Sequence, residues 1–135
     1  MTPEERDAFL RVPRIAKLAV LNADGSPAIM PVWFEWDGMV ARLFTTRGSW
    51  KVTRITADPR VALSVEAAFG RPEAWVTIEG IASVHDRGGL ELAERLLPKY
   101  YGAEQAAKTA VEWRKVPDGV LVEIKPLRIR ARAED

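Results

Sequence analysis

Residues 15–46, IAKLAVLNADGSPAIMPVWFEWDGMVARLFTT, decide the fold. Ile15 to Leu21 reads as a strand, and Ala23-Asp24-Gly25 after it is a hairpin signal. Ala28 to Trp36 reads as a second strand, with Ala28, Met30, Val32, Phe34 and Trp36 on one face at period two. Pro31 lies on the other face and donates no backbone hydrogen bond, so this strand belongs at an edge or is bulged there. Asp37-Gly38 is a second turn, and Met39 to Thr46 a third strand. Three strands joined by two tight turns predict an antiparallel meander.

Outward from this stretch, Thr2-Pro3-Glu4-Glu5 is a helix start, and that helix ends before Pro13. Ser49 precedes a short helix over Trp50 to Ile55, closed by Asp58-Pro59. Val61, Leu63 and Val65 alternate along a half-buried strand, and Phe69 to Glu73, with Gly70 and Pro72, is an exposed loop. Trp75 to Val84 is a strand whose apolar phase slips at Gly80, which predicts a bulge. Gly88 to Leu97 and Glu104 to Arg114 read as helices, with Pro98 breaking the first. Val120, Val122 and Ile124 share a face of a last strand, and the shift to Leu127 and Ile129 predicts a second bulge at Pro126. The expected fold is mainly β with short helices: six antiparallel strands in a closed or partly closed barrel, with a helical insertion near its end.

A length of 135 residues suits one domain over 1–135. Twenty basic side chains against nineteen acidic ones leave a net charge of +1 and no global drive towards nucleic acid. With no cysteine there are no thiolate nucleophiles, disulfides or zinc fingers; a single histidine, His85, rules out a two-histidine metal site, and no metal ligand set is expected. No signal peptide or membrane-spanning run is evident, so the expected location is cytoplasmic. Demanding chemistry would therefore sit on something the chain binds. The acidic end, Glu134-Asp135, is the one candidate tail.

The sharpest local feature is Thr45-Thr46-Arg47-Gly48-Ser49-Trp50-Lys51. A strand ends in two hydroxyl residues, a glycine turns the chain, and a helix starts. Its first turn presents unpaired N–H groups and the positive end of its dipole, an anion site to which the hydroxyls and Lys51 contribute. The competing reading is that Ser49 only caps the helix and Lys51 is solvated. Trp33, Trp36, Trp50, Trp75 and Trp113 suit ring-flanking roles or core and interface packing. Trp33 lies opposite Phe34, so both faces of its strand are apolar, which points to a dimer interface. His85 reads as a solvated turn residue, and no serine has a G-x-S-x-G context. Arg128, Arg130 and Arg132 form a basic stripe that is an edge guard, an anion rim or a salt-bridged contact.

The order and spacing of Leu18–Pro27, Pro31–Gly38, Phe44-Thr45-Thr46, Ser49-Trp50-Lys51, Asp58–Val65, Val76–Ala82 and Tyr100-Tyr101-Gly102 give a resemblance. The chain resembles the pyridoxamine 5′-phosphate oxidase-like, FMN-binding split-barrel superfamily, and within it the branch using the deazaflavin coenzyme F420. The resemblance implies a homodimer of split barrels with cofactor sites at the interface. It implies that Thr45, Thr46, Ser49 and Lys51, with Trp50 between them, hold the cofactor phosphate. Pro31, Val32 and Trp33 would line the isoalloxazine ring, and Trp75 stands where many relatives place a glutamine near it. Trp50 and Ser49 stand where relatives carry basic residues, leaving Arg47 or Arg54 to supply that charge. No Arg- and His-bearing C-terminal segment follows the last strand, so oxidation of pyridoxamine phosphate is not expected. The implied function is an oxidoreductase moving a hydride between bound FMN or F420 and a small organic substrate, whose pocket residues 67 to 74 help to shape. The alternatives are a non-catalytic carrier or sensor of the cofactor, and a haem-handling protein using His85, Tyr100 or Tyr101.

Overall fold

The computed structural model describes residues 1–116 and 118–134; of the acidic pair at the end, Asp135 lies outside them. The elements run α1 (Pro3–Arg11), β1 (Ala16–Leu21), β2 (Pro27–Val32), β3 (Glu35–Trp36), β4 (Ala41–Thr46), α2 (Trp50–Ala57), β5 (Arg60–Glu66), β6 (Ala74–His85), α3 (Gly89–Tyr100), α4 (Ala103–Trp113) and β7 (Gly119–Ala133). The strands form one antiparallel sheet in the order β2-β1-β5-β6-β7-β4-β3.

There are seven strands rather than six. The segment expected as one strand over Ala28–Trp36 breaks at Trp33-Phe34, and its halves lie at opposite edges of the sheet. The expected meander is corrected with it: β2 pairs with β1, but β4 pairs with β3 and β7 and never with β2. Only two residues link the two edges, a reach of ~10 Å, so the sheet must curl until its edges meet. Pro31 sits on edge strand β2, where its missing donor breaks no ladder.

The two expected bulges are a single one. Glu79 faces Arg128 and Gly80 faces Pro126, so Leu127 is the extra residue. A Cβ at Gly80 would lie 2.4 Å from the Lys125 carbonyl oxygen, which explains the glycine.

Leu18, Val20, Leu43, Leu63, Val65, Val76, Ile78, Val122 and Ile124 fill the inside of the curl with Ile55 of α2. The helical hairpin α3–α4 lies on the outside, with α3 packed on β4 and β7 and Leu92, Leu96 and Leu97 buried beneath it. Pro98 does not end α3; it lies in the last turn. Helix α1 is docked by the Trp36 indole, which donates to Asp7 Oδ1 at 3.0 Å. Among the described residues no helix is long and apolar enough to cross a membrane.

Candidate functional site

Strand β4 carries chemistry on both faces of its end. Ala41, Leu43 and Thr45 share the inward row, while Phe44 and Thr46 face outward. On the inward side, the Thr45 hydroxyl donates to Ser49 Oγ at 3.1 Å and accepts from Lys51 Nζ at 3.3 Å. Ser49 occupies the N-cap position of α2, yet its side chain accepts no helix N–H, and the first turn holds no acidic residue. Burial holds the Lys51 ammonium below its usual pKa, and among the described residues no carboxylate is paired with it. Thr46 is exposed, and its carbonyl accepts from the Ser49 N–H at 3.0 Å. The structure thus brings Thr45, Ser49 and Lys51 into one hydrogen-bonded cradle with Thr46 at its lip. Trp50 is 49% exposed beside it.

The two arginines considered for a further charge are engaged elsewhere. Arg47 is ion-paired with Asp86, and Arg54 Nε donates to the Leu21 carbonyl at 2.8 Å.

Trp33 joins this region through rings. It stacks on Tyr100 (4.6 Å between centroids, 7° between planes) and lies edge-on to Tyr101 and to Phe44, at 4.9 and 6.1 Å. The chain's own helix ends thus cover part of Trp33, while Ile29 and Pro31 on the same face stay exposed. Through Phe44, Trp33 meets the outward face of the strand whose inward face carries the cradle. Pro31 is exposed and Val32 half-buried. Trp75 is not brought there. It pairs with Arg132 and Thr46 pairs with Gly119, at opposite ends of β7, and the Trp75 indole donates to Glu73 Oε1 at 3.3 Å.

On the outward side lies a cavity of about 710 Å³, which sequence reasoning missed. Its floor is Phe44 to Thr46, and its walls come from the Asp86–Ala93 turn and helix and from the end of α4. The signal available in the sequence was Gly88-Gly89. Gly88 has φ +98°, and a Cβ at Gly89 would lie 2.6 Å from the Val120 carbonyl oxygen, so the pair lets α3 start against β7.

The remaining candidates stand apart. His85 shares a 2.9 Å hydrogen bond with Ser83 Oγ at an exposed strand end. Tyr100 donates to the Arg14 carbonyl at 2.7 Å, and burial raises its pKa. Arg128 and Arg130 reach Glu79 across β6 and β7, so these two of the stripe's three arginines are salt-bridged within the chain. Residues 67–74 form the β5–β6 hairpin, with Phe69 fully exposed at its tip. Among the described residues no group of three or more His, Asp or Glu is placed to hold a metal ion.

Known proteins share this fold. The family model for pyridoxamine 5′-phosphate oxidase matches residues 2–133. The F420H(2)-dependent biliverdin reductase of Mycobacterium tuberculosis (strain CDC 1551 / Oshkosh) is 36% identical over 81 residues, 58% of this chain and 56% of that protein. The chain thus spans about half the length of this curated relative. Among solved structures, the protein Rv2991 of Mycobacterium tuberculosis superposes with a TM-score of 0.78 at 26% identity, covering 98% of this chain and 85% of that one. An F420 reductase superposes with a TM-score of 0.75 at 24% identity, covering 92% and 94%. The chain belongs to the pyridoxamine 5′-phosphate oxidase family and is related to F420-dependent reductases.

Proposed function

We propose that this protein is an oxidoreductase that binds FMN or F420 through its phosphate and transfers a hydride between that cofactor and a small organic substrate. The observation that carries the reading is the cradle of Thr45, Ser49 and Lys51 at the start of α2. A half-buried ammonium bonds a single hydroxyl, that of Thr45, and the N-cap serine is not used in capping. These residues fit a phosphate: the hydroxyls and the N–H groups of the first turn donate, and Lys51 supplies charge. The F420H(2)-dependent reductase activity of the relative agrees with this reading.

When bound, the cofactor supplies the hydride chemistry. The chain's residues hold and orient it. Lys51, Thr45 and Ser49 fix the phosphate end. The Pro31–Trp33 segment, held against Phe44, flanks the ring end, and stacking on Tyr100 keeps Trp33 rigid. The protein acts as a cytoplasmic homodimer with its cofactor sites at the interface. Trp75, remote from the cradle of its own chain, would then serve the partner's cofactor.

Titration of the purified protein with FMN and with F420, followed by fluorescence, tests this. Saturable binding of one of them is expected, and failure to bind either overturns the reading. A carrier or sensor would use the same cradle; turnover of the bound, reduced cofactor with an acceptor separates the enzyme from it. Haem titration with His85→Ala addresses the haem reading, which the exposed, serine-bonded imidazole does not favour. Sedimentation tests the dimer.

A further inference from the structure

The cavity under the helical hairpin is a separate feature from the cradle, though Thr45 and Thr46 border both. Its volume of about 710 Å³ falls within the range of sites for organic molecules, roughly 300–1,000 Å³. Its chemistry is two-sided. Phe44, Trp113, Leu90 and Ala93 give it an apolar body, and the Phe44 and Trp113 rings meet at 5.2 Å as adjoining aromatic walls. Val116, at its edge, is 45% exposed.

Four charges stand at the rim, and two of them, Asp86 and Arg114, are neutralised. Asp86 is ion-paired with Arg47, and Arg114 Nε donates to Glu94 at 2.8 Å. Glu91, also on the rim, has no ion pair within 4 Å among the described residues. Arg87 is the cation left over: no carboxylate among the described residues is paired with it. A guanidinium without a partner, beside an aromatic-walled hollow, matches a ligand with a flat apolar body and one anionic group.

We propose that this cavity binds such a molecule, an aromatic organic anion. Because β4 separates the cavity from the cradle by no more than its own thickness at Thr45 and Thr46, a ligand in the cavity and a phosphate in the cradle are held by one strand end.

The test uses two fluorescent probes on the full chain: anilinonaphthalene sulfonate, and N-phenylnaphthylamine, which has the same rings without the charge. The sulfonate is expected to bind one to one and about tenfold more tightly than the amine. Arg87→Gln, an exposed substitution, should abolish that preference by weakening the sulfonate about tenfold and leaving the amine unchanged. Ala93→Leu, which fills the cavity, should weaken both probes about tenfold or more, with thermal melting as a check on folding. Equal affinity for the two probes overturns the proposal, as does a preference that survives Arg87→Gln. Should Ala93→Leu fail to fold, the Arg87→Gln comparison decides alone. FMN and F420 titrations on the same samples keep the two readings apart. Loss of probe binding with cofactor binding intact sinks only the cavity. Probe binding without cofactor binding sinks only the proposed oxidoreductase.

Discussion

Helices α1 and α2 both begin after a hydroxyl residue, and they treat it in opposite ways. At α1, Thr2 accepts from the Glu5 N–H and the Glu5 carboxylate accepts from the Thr2 N–H, each at 3.1 Å. Glu4 and Glu5 place negative charge on the positive end of the dipole. At α2, Ser49 is turned towards Thr45, the first turn carries no acid, and a lysine stands second after the cap. The first terminus is satisfied by its own residues. The second leaves its first-turn donors without a side-chain cap. Sequence spacing alone shows a hydroxyl before a helix in both cases; the destination of that hydroxyl distinguishes a stabilising cap from a binding feature.

The sharpest way to break this contrast is Lys51→Ala. Affinity for the phosphate-bearing cofactor should fall by about 1–3 kcal/mol, the usual size of a charge-assisted contact, in a fluorescence titration. Unchanged affinity would return Lys51 to the role of a surface residue. Next in size is a pair of cap deletions read by thermal melting and cofactor binding together. Thr2→Ala should cost about 1 kcal/mol of stability and leave cofactor affinity alone. Ser49→Ala should cost less than about 0.5 kcal/mol of stability and weaken binding, because its hydroxyl makes no cap bond to lose. Equal stability losses would erase the distinction.

A smaller effect is expected from pH. Burial lowers the Lys51 pKa from 10.5, so the folded chain holds this proton less tightly than the unfolded one. Cofactor affinity should therefore decline on the alkaline side before an ordinary lysine would titrate. Lys51→Arg should stay flat over the same range, and identical profiles for the two proteins would count against a role for Lys51 charge. The same shift means that stability rises as pH climbs from the lowered pKa towards 10.5, since deprotonation relieves the buried charge. The smallest effect is expected from Thr45→Val, which removes one acceptor for Lys51 and one donor to Ser49. It should weaken binding by roughly 0.5 kcal/mol, and no change would show that the cradle works through Lys51 alone.

The cradle was legible in the sequence because it is local: seven consecutive residues carry the strand end, the turn, the cap position and the cation. The cavity was not, because its floor, walls and rim come from three segments that meet only after α3–α4 folds back over β4. The strand count failed for a different reason. Val32, Phe34 and Trp36 keep their alternation across the break at Trp33-Phe34, so periodicity carries no trace of it. Periodicity records which side of the sheet a residue faces, not which neighbour its backbone bonds. The slips at Gly80 and Pro126 were each visible, but only the register shows that one extra residue, Leu127, accounts for both.

The order of strands also sets a timetable. Strand β4 leaves the ribosome early, yet its partner on the side away from β3 is Gly119–Ile124 of the last strand. Until the C-terminal stretch emerges, that edge, with Thr45 and Phe44 on it, has no neighbour to bond. Both the cradle and the cavity floor are thus among the last features completed during synthesis. A chain stopped short of β7 would expose an open apolar edge, a target for chaperones.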